Sequence, residues 1–206
     1  MINKELRSEQ IILEAAEAEF LEKGYGNAKM MAIARRADVS HSMLHYYFRS
    51  KENLFKTIFH RKIQMLSQLF EGVKGRELPF EETVRLFIEG QFNFVAQNPR
   101  MPRFVLNEVI TNPENLALVM DAVRPKIEEI FGNLSKLLDD GIASGAIRPV
   151  LFRDFIMNIV SLNISTFVSL PVIEKILPGM DAKAKEAYLS ERRESNVQFI
   201  LSALRP

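Results

Sequence analysis

The chain has 206 residues, of which 47% are hydrophobic and 26% charged, and its formal net charge is +1. These values are typical of a soluble globular protein of one or two domains. Cysteine is absent, which excludes disulfides and thiolate metal sites and fits a reducing cytoplasm. No apolar signal segment and no uninterrupted apolar run of ~18 to 20 residues is visible. We therefore expect a soluble, cytoplasmic protein without a membrane partner.

The first predicted helix runs from Lys4 to Lys23. Gly24 follows it and suits a helix C-terminus. Apolar residues mark one side of this helix, and we expect the opposite, acidic side to face away from any nucleic acid. The acidic residues are Glu5, Glu9, Glu14, Glu17, Glu19 and Glu22.

Two short helices joined by a tight turn are predicted next. Residues 28–36 place apolar side chains on one helix face. Asp38 tolerates the left-handed backbone of a sharp turn, and Ser40 is a favourable N-cap for the second helix. Leu44 and Phe48 stand four residues apart and can both face inward. On spacing alone, a DNA-reading pair and a plain helical hairpin are about equally favoured.

The outward face of the second short helix carries bulky, uncharged groups, most of which can form hydrogen bonds. A surface helix without a function would more often carry Glu, Lys and Gln. Residues 23–62 also hold nine Lys or Arg against two acids, although the whole chain is only +1. A local basic excess is the electrostatic footprint expected of a DNA-binding module. The outward residues are His41, Ser42, Met43, His45 and Tyr46.

A set of residues between Gly24 and Phe55 stands in fixed register: Gly24, Tyr25, Ile33, Ala34, Ala37, Val39, Ser40, Leu44, Tyr46, Tyr47, Phe48, Ser50, Lys51, Glu52 and Leu54. This set resembles the N-terminal DNA-binding domain of the TetR family of bacterial transcriptional regulators. That family has an Ile-Ala pair, a small-Gly-Val-Ser turn, and Leu-Tyr-x-x-Phe followed by Ser-Lys and an acid. The order of the predicted helices agrees over the whole chain.

Several positions depart from the family pattern. Ala28 and Lys29 replace two hydroxyl residues that usually open the second helix, so we expect Asn27 to cap it. Asp38 replaces the turn glycine, and His45 replaces an aromatic residue of the reading helix. Lys29 and Asp38 keep an alternative open: a helical ligand-binding or interaction protein that has lost specific DNA reading.

The resemblance implies an all-α fold of two domains. Residues 1–50 would form a three-helix, helix-turn-helix DNA-binding domain, and residues 51–206 a helical ligand-binding and dimerisation domain. Phosphate contacts are implied for Lys29, Tyr47 and Lys51, while Met43 suits a thymine methyl group. The full set of expected DNA contacts is Lys29, Met30, Ser40, His41, Ser42, Met43, His45, Tyr46, Tyr47 and Lys51.

A long helix from Ser50 to about Glu71 is predicted to link the two halves, with the linking part over residues 51–72. All nine prolines lie from Pro79 onward, which places a domain boundary near residues 72–79. The later helices are predicted over Phe80–Gln97, Met101–Thr111, Pro113–Ser144 with an interruption allowed at Pro125, Phe152–Ser169 or further, and Asp181–Leu204.

The last two predicted helices are candidates for a partner interface. The helix from Phe152 is apolar nearly all round, so it should be buried on more than one side. Proteins of the TetR family pair their last two helices with those of a second copy, and a symmetric operator requires two reading heads. We therefore expect a homodimer, while burial within the chain's own core is the alternative.

The helices between carry many aromatic, methionine and amide side chains. Ligand pockets are mostly apolar with a few polar groups, and the resemblance implies a cavity there for a small-molecule inducer whose identity is open. Each such residue taken alone more often belongs to the core. The candidate ligand contacts are Phe92, Phe104, Asn107, Asn158 and Phe167.

Sequence motifs of enzymes are missing: there is no glycine-rich phosphate loop, nucleophile elbow or HExxH. His41 and His45 have a spacing that metal sites use, but no cluster of further ligands accompanies them. We expect no enzymatic activity, cofactor or metal. The resemblance to the TetR family implies a repressor that binds a palindromic operator as a homodimer and is released by an inducer.

Overall fold

The computed structural model describes residues 2–71, 78–177 and 179–206. Within these ranges all regular structure is helical, so the predicted all-α fold class is confirmed. Val105–Ile110 is π-helical and continues α6. The helices are α1 Ile2–Asn27, α2 Met30–Arg36, α3 His41–Phe48, α4 Lys51–Glu71, α5 Phe80–Gln97, α6 Met101–Phe104, α7 Pro113–Ala143, α8 Phe152–Ile176 and α9 Ala182–Leu204.

The chain packs as two compact units. The first comprises Met1–Gln64 and Arg103–Lys126, and the second comprises Met65–Pro102 and Ile127–Pro206. The chain therefore passes between the units inside α4, α6 and α7. Most of the boundary predicted near residues 72–79 lies outside the described residues.

The core of the first unit holds the two short helices in place. Leu44 and Phe48 of α3 are buried, as their spacing predicted, and Ile33 of α2 is fully buried. Phe20 of α1 and Phe55 of α4 pack edge to face with ring centroids 5.5 Å apart. Buried aromatic rings provide a large share of the apolar stabilisation of a small unit. The back of α3 is thus fixed against its own unit.

Local backbone signals in the first unit behave as predicted at three positions. Gly24 has φ +76° and ends the regular part of α1. Asp38 adopts a left-handed conformation with φ +52° in the turn before α3. The Ser40 hydroxyl accepts a hydrogen bond from the Met43 N–H at 3.1 Å, which is the N-cap that the sequence indicated.

The predicted N-cap of α2 is wrong. Asn27 lies in the last turn of α1, and its side-chain amide donates to the Lys23 carbonyl at 3.3 Å. Lys29 occupies the N-cap position of α2 and makes no side-chain capping hydrogen bond. Because α1 continues beyond Gly24, Asn27 is part of α1 and lies two residues before the N-cap position of α2.

Two of the later helices extend past features that could have ended them. α7 continues through Pro125, so the interruption allowed there does not occur. α8 continues through Pro171 to Ile176. By length and composition α8 is the single helix in the described ranges that could cross a membrane. Within the chain, 33% of its apolar stretch is buried. Much of its apolar surface is therefore uncovered.

Candidate DNA-binding surface

α3 presents the predicted reading face to solvent. His41, Ser42 and His45 are exposed, and Tyr46 is 79% exposed. Met43 is half-buried beside them. Since Leu44 and Phe48 anchor the opposite side of the helix, these groups project from a fixed support.

Aromatic contacts order this face. The His41 and His45 rings meet edge to face with centroids 4.4 Å apart, and the Tyr46 and Tyr47 rings do the same at 5.4 Å. Rings that are already packed lose less conformational freedom when they contact a partner.

No group of three or more His, Cys, Asp or Glu within the described ranges could hold a metal ion.

The candidate phosphate contacts differ in their surroundings. Lys29 is exposed at the start of α2 and makes no ion pair or side-chain hydrogen bond with the described residues. A cation at a helix N-terminus opposes the helix dipole, so an anion such as a phosphate would relieve it. Tyr47 of α3 and Met30 of α2 are half-buried.

Lys51 has a structural environment that the sequence did not indicate. Its ammonium donates to the carbonyl oxygens of Tyr25 at 2.8 Å, Gly26 at 3.1 Å and Ala28 at 3.3 Å. The ammonium also lies 4.7 Å from the centre of the Tyr25 ring. An ammonium has three N–H donors, so a phosphate contact by Lys51 requires one of these hydrogen bonds to break.

Glutamates of α1 neutralise part of the local basic excess. Arg36 contacts Glu22 at 2.7 Å and Glu19 at 3.5 Å. Arg61 pairs with Glu9 at 2.6 Å, and Lys62 pairs with Glu17 at 2.9 Å. The acidic side of α1 therefore faces basic residues of its own unit. Within the described ranges, the basic residues from 23 to 62 that make no ion pair are Lys23, Lys29, Arg35, Arg49 and Lys51.

The five candidate ligand contacts are divided between the two units and differ in burial. In the second unit Phe92 and Phe167 are buried, and their ring centroids are 5.0 Å apart. Phe104 belongs to the first unit, where it is buried. Asn107 and Asn158 are exposed. Asn158 follows Met157 on α8, and both side chains are exposed.

A chain of amides is buried in the second unit instead. The Asn196 amide nitrogen donates to Asn163 Oδ1 at 2.8 Å, and the Asn163 nitrogen donates to Gln91 Oε1 and to the Ile88 carbonyl. Asn196 Oδ1 is buried and has no hydrogen-bond partner in the described chain. The residues join α5, α8 and α9. A polar residue at a core position of an apolar helix is the sequence signal that marks them.

Two family models match the chain. Residues 12–58 match the model described as bacterial regulatory proteins, tetR family. Residues 81–200 match the model described as tetracyclin repressor-like, C-terminal domain. Together they cover the reading helices and most of the second half of the chain.

Relatives and solved structures agree with the family models. An uncharacterized HTH-type transcriptional regulator, YhgD of Bacillus subtilis, is 29% identical over 68% of this chain and 72% of its own length. The fatty acid metabolism regulator protein of the same organism is 26% identical over 76% of this chain and 81% of its own. The crystal structure of the Bacillus subtilis regulator FadR in complex with stearoyl-CoA has the same fold, with a TM-score of 0.72, 20% identity and coverage of 95% and 99%.

Proposed function

Because the chain belongs to the tetR family of bacterial regulatory proteins and is a ligand-responsive DNA-binding regulator, we propose that it is a cytoplasmic repressor. It binds a palindromic operator as a homodimer, and a small-molecule inducer releases it. The observation that carries this proposal is the exposed reading face of α3, which has no Lys, Arg, Asp or Glu and rests on a buried support. Its role is regulation and not catalysis.

In this proposal α3 of each copy enters the major groove. Half-sites then lie about 34 to 36 Å apart, or a multiple of that spacing. His41, Ser42, Met43, His45 and Tyr46 contact base edges. Lys29 and Tyr47 contact phosphates and fix the register of the protein on the duplex. Residues 1–50 are the DNA-binding domain and residues 51–206 the regulatory domain, linked by α4.

The homodimer forms through α8 and α9. Exposed apolar side chains on α8 recur four residues apart at Val168, Val172 and Ile176, which places them on one face. Phe199 of α9 is 61% exposed. A soluble monomer rarely leaves a continuous apolar face uncovered, and a second copy of the same pair of helices would cover it.

The proposed inducer is a long-chain fatty acyl-CoA. Support comes from the relatives, one named for fatty acid metabolism and one crystallised with stearoyl-CoA. The second unit offers an aromatic core around Phe92 and Phe167, and apolar surroundings with few polar groups suit an acyl chain. A ligand shifts the equilibrium only by its differential affinity for the two states. Stearoyl-CoA must therefore bind the DNA-free state better.

A release titration tests the ligand class. The protein is bound to a fluorescent operator duplex, and anisotropy is followed while acyl-CoA esters of increasing chain length are added. Release by stearoyl-CoA, but not by CoA or by short-chain esters at equal concentration, is the expected result. Retention of DNA at every chain length, or equal release by CoA itself, contradicts the proposed ligand. Concentrations are kept below micelle formation so that detergent action does not imitate release.

A further inference from the structure

Residues 103–126, called the returning segment below, belong to the first unit although the chain on both sides of them belongs to the second. α4 leads out of the first unit, α6 leads back into it, and α7 leads out again. The returning segment is therefore the part of the chain between two stretches of the second unit that belongs to the same unit as the reading helices.

The first contact of the returning segment is aromatic. Phe104 is 8% exposed. Its ring lies 6.1 Å from that of Phe55 and is stacked with that of Phe59 at 6.3 Å, measured between centroids. Both partners are on α4. Aromatic contacts of this kind resist separation because they bury a large apolar area.

The second contact is a carboxylate at the junction between α1 and α2. Glu108 Oε2 accepts a hydrogen bond from the Tyr25 N–H at 2.9 Å. The Glu108 carboxylate also approaches Gly24 so closely that a Cβ built there would lie 2.7 to 2.9 Å from its atoms. Gly24 has φ +76° as well. Glycine is needed at this position both for its backbone conformation and for the space that Glu108 occupies.

The peptide groups around Tyr25 are held from two directions. Glu108 accepts the Tyr25 N–H, while Lys51 donates to the Tyr25 carbonyl. The Asn115 side-chain amide in turn donates to the backbone carbonyl of Glu108 at 2.6 Å. Glu108 itself lies within the π-helical turn. π-Helical turns occur frequently at functional sites. The junction that leads from α1 into α2 and α3 is thus bound to the returning segment.

Prolines mark both ends of the returning segment. Pro102 is the residue directly before it, and Pro125 is its last residue but one. Pro125 lies inside α7, where it has no N–H to donate and removes one hydrogen bond of the helix ladder. Helices bend preferentially at such positions. The α7 link to the second unit therefore contains a position at which helices bend readily.

We propose that Glu108 is a positioning residue that couples operator binding to the state of the second unit. It keeps the α1–α2 junction in the conformation that α3 needs in order to read DNA. Displacement of the returning segment withdraws the carboxylate from the Tyr25 N–H and lets the reading helices shift. The regulatory meaning of this coupling rests on the proposed function, but the coupling itself can be measured without an inducer.

That measurement follows from the reciprocity of coupled binding equilibria. If the returning segment influences DNA binding, DNA binding must influence the returning segment by the same free energy. Amide hydrogen exchange of the full-length protein is compared with and without a bound DNA duplex. We expect exchange in residues 103–115 to slow on DNA binding in the wild-type protein, by about threefold or more. The matched control is Glu114→Ala, which removes an exposed acid of the same segment whose side chain makes no hydrogen bond or ion pair with the described residues.

The variants at position 108 separate coupling from simple stability. Glu108→Ala should abolish the slowing in residues 103–115. Glu108→Gln keeps an acceptor oxygen and should restore most of it. If Glu108→Ala does not fold, Glu108→Asp, which withdraws the carboxylate by one methylene, takes its place. Unchanged exchange in the wild-type protein, or slowing that survives in Glu108→Ala, would overturn the proposal.

Addition of stearoyl-CoA to the same samples separates this inference from the proposed inducer. Reversal of the slowing together with DNA release supports both. Slowing on DNA binding that stearoyl-CoA does not reverse contradicts the proposed ligand and still supports coupling through Glu108.

Discussion

The two units leave opposite kinds of surface uncovered. The first unit exposes polar rings on the closely supported α3, as at His45 and Tyr46, and basic side chains without an ion pair, as at Lys29. The second exposes apolar side chains along α8, as at Val172 and Ile176. Uncovered polar and basic groups suit the edges and phosphates of DNA, whereas uncovered apolar groups suit another apolar surface. The kind of partner that each unit binds can therefore be inferred from the groups that the unit leaves exposed.

The units also differ in how their polar groups find hydrogen-bond partners. In the first unit, backbone groups at helix ends receive side-chain partners, as where Lys51 bonds three carbonyls. In the second unit, three amides are buried among apolar side chains, and Asn196 Oδ1 has no partner in the described chain. An unmet buried acceptor costs about 1 to 3 kcal/mol. A ligand or a water that donates to this oxygen would remove that cost.

A charge on the apolar face of α8 should have the largest effect. Val172→Glu places a carboxylate where the second copy is proposed to pack, and burial of an unpaired charge is strongly unfavourable. We expect a monomer in sedimentation and at least ~100-fold weaker operator binding, because a single DNA-binding unit is no longer linked to a second one that binds the neighbouring half-site. Leu151→Glu, at an exposed apolar residue outside this face, serves as the control. A dimeric Val172→Glu protein would place the interface elsewhere.

Removal of one reading side chain should weaken binding less and alter its specificity. Tyr46→Ala should cost about 1 to 3 kcal/mol in binding and relax sequence preference at one operator position. The melting temperature should stay unchanged because Tyr46 is 79% exposed. Binding to a set of single-base operator variants measures both effects. Equal weakening on every variant would show that Tyr46 does not contact a base.

Substitutions of two lysines in the first unit distinguish a DNA contact from a contribution to the stability of the fold. Lys29→Ala should leave stability within about 0.5 kcal/mol and lower the salt dependence of DNA binding by about one charge. Lys51→Ala should reduce the free energy of unfolding by about 2 kcal/mol, since its charged hydrogen bonds to three carbonyls are lost. Denaturant unfolding and salt titrations of both variants test this assignment. The opposite pattern would assign the phosphate contact to Lys51.

The smallest expected effect is a pH dependence in the second unit. Hydrogen bonds from Arg85 and Gln198 lower the pKa of Glu194 below its ordinary value of 4.5. The folded state therefore holds the carboxylate charged more strongly than the unfolded chain does. The resulting stabilisation is complete at neutral pH and is lost as pH falls through the lowered pKa. Glu194→Gln should reduce the acid dependence of the melting temperature, and an unchanged acid dependence would contradict this.

Local patterns in the sequence predicted the parts of the fold that depend on neighbouring residues. Leu44 and Phe48 showed the inner face of α3, Ser40 showed its N-cap, and Asp38 showed the turn. Each of these signals is decided within a few residues, where spacing and backbone preference are sufficient. Gly24 was identified as a helix end for the same reason, although the space that Glu108 occupies beside it was not visible.

Contacts between distant residues could not be predicted in this way. The bond from Tyr25 to Glu108 joins residues 83 positions apart, and no periodic pattern relates them. Lys51 matched a family motif, but its three carbonyl acceptors depend on where α1 ends. Helical spacing did not show which ligand candidates are buried, because the same apolar stretch of α8 holds the buried Phe167 and the exposed Asn158.

The most direct test of the central claim is a selection of random double-stranded DNA by the purified protein at moderate salt, followed by sequencing. A homodimer that reads with α3 predicts an enriched palindrome whose half-sites are one helical turn, or a multiple of it, apart. Binding without an enriched motif, or no binding, would contradict specific reading by α3 and favour a helical ligand-binding protein that no longer reads a DNA sequence.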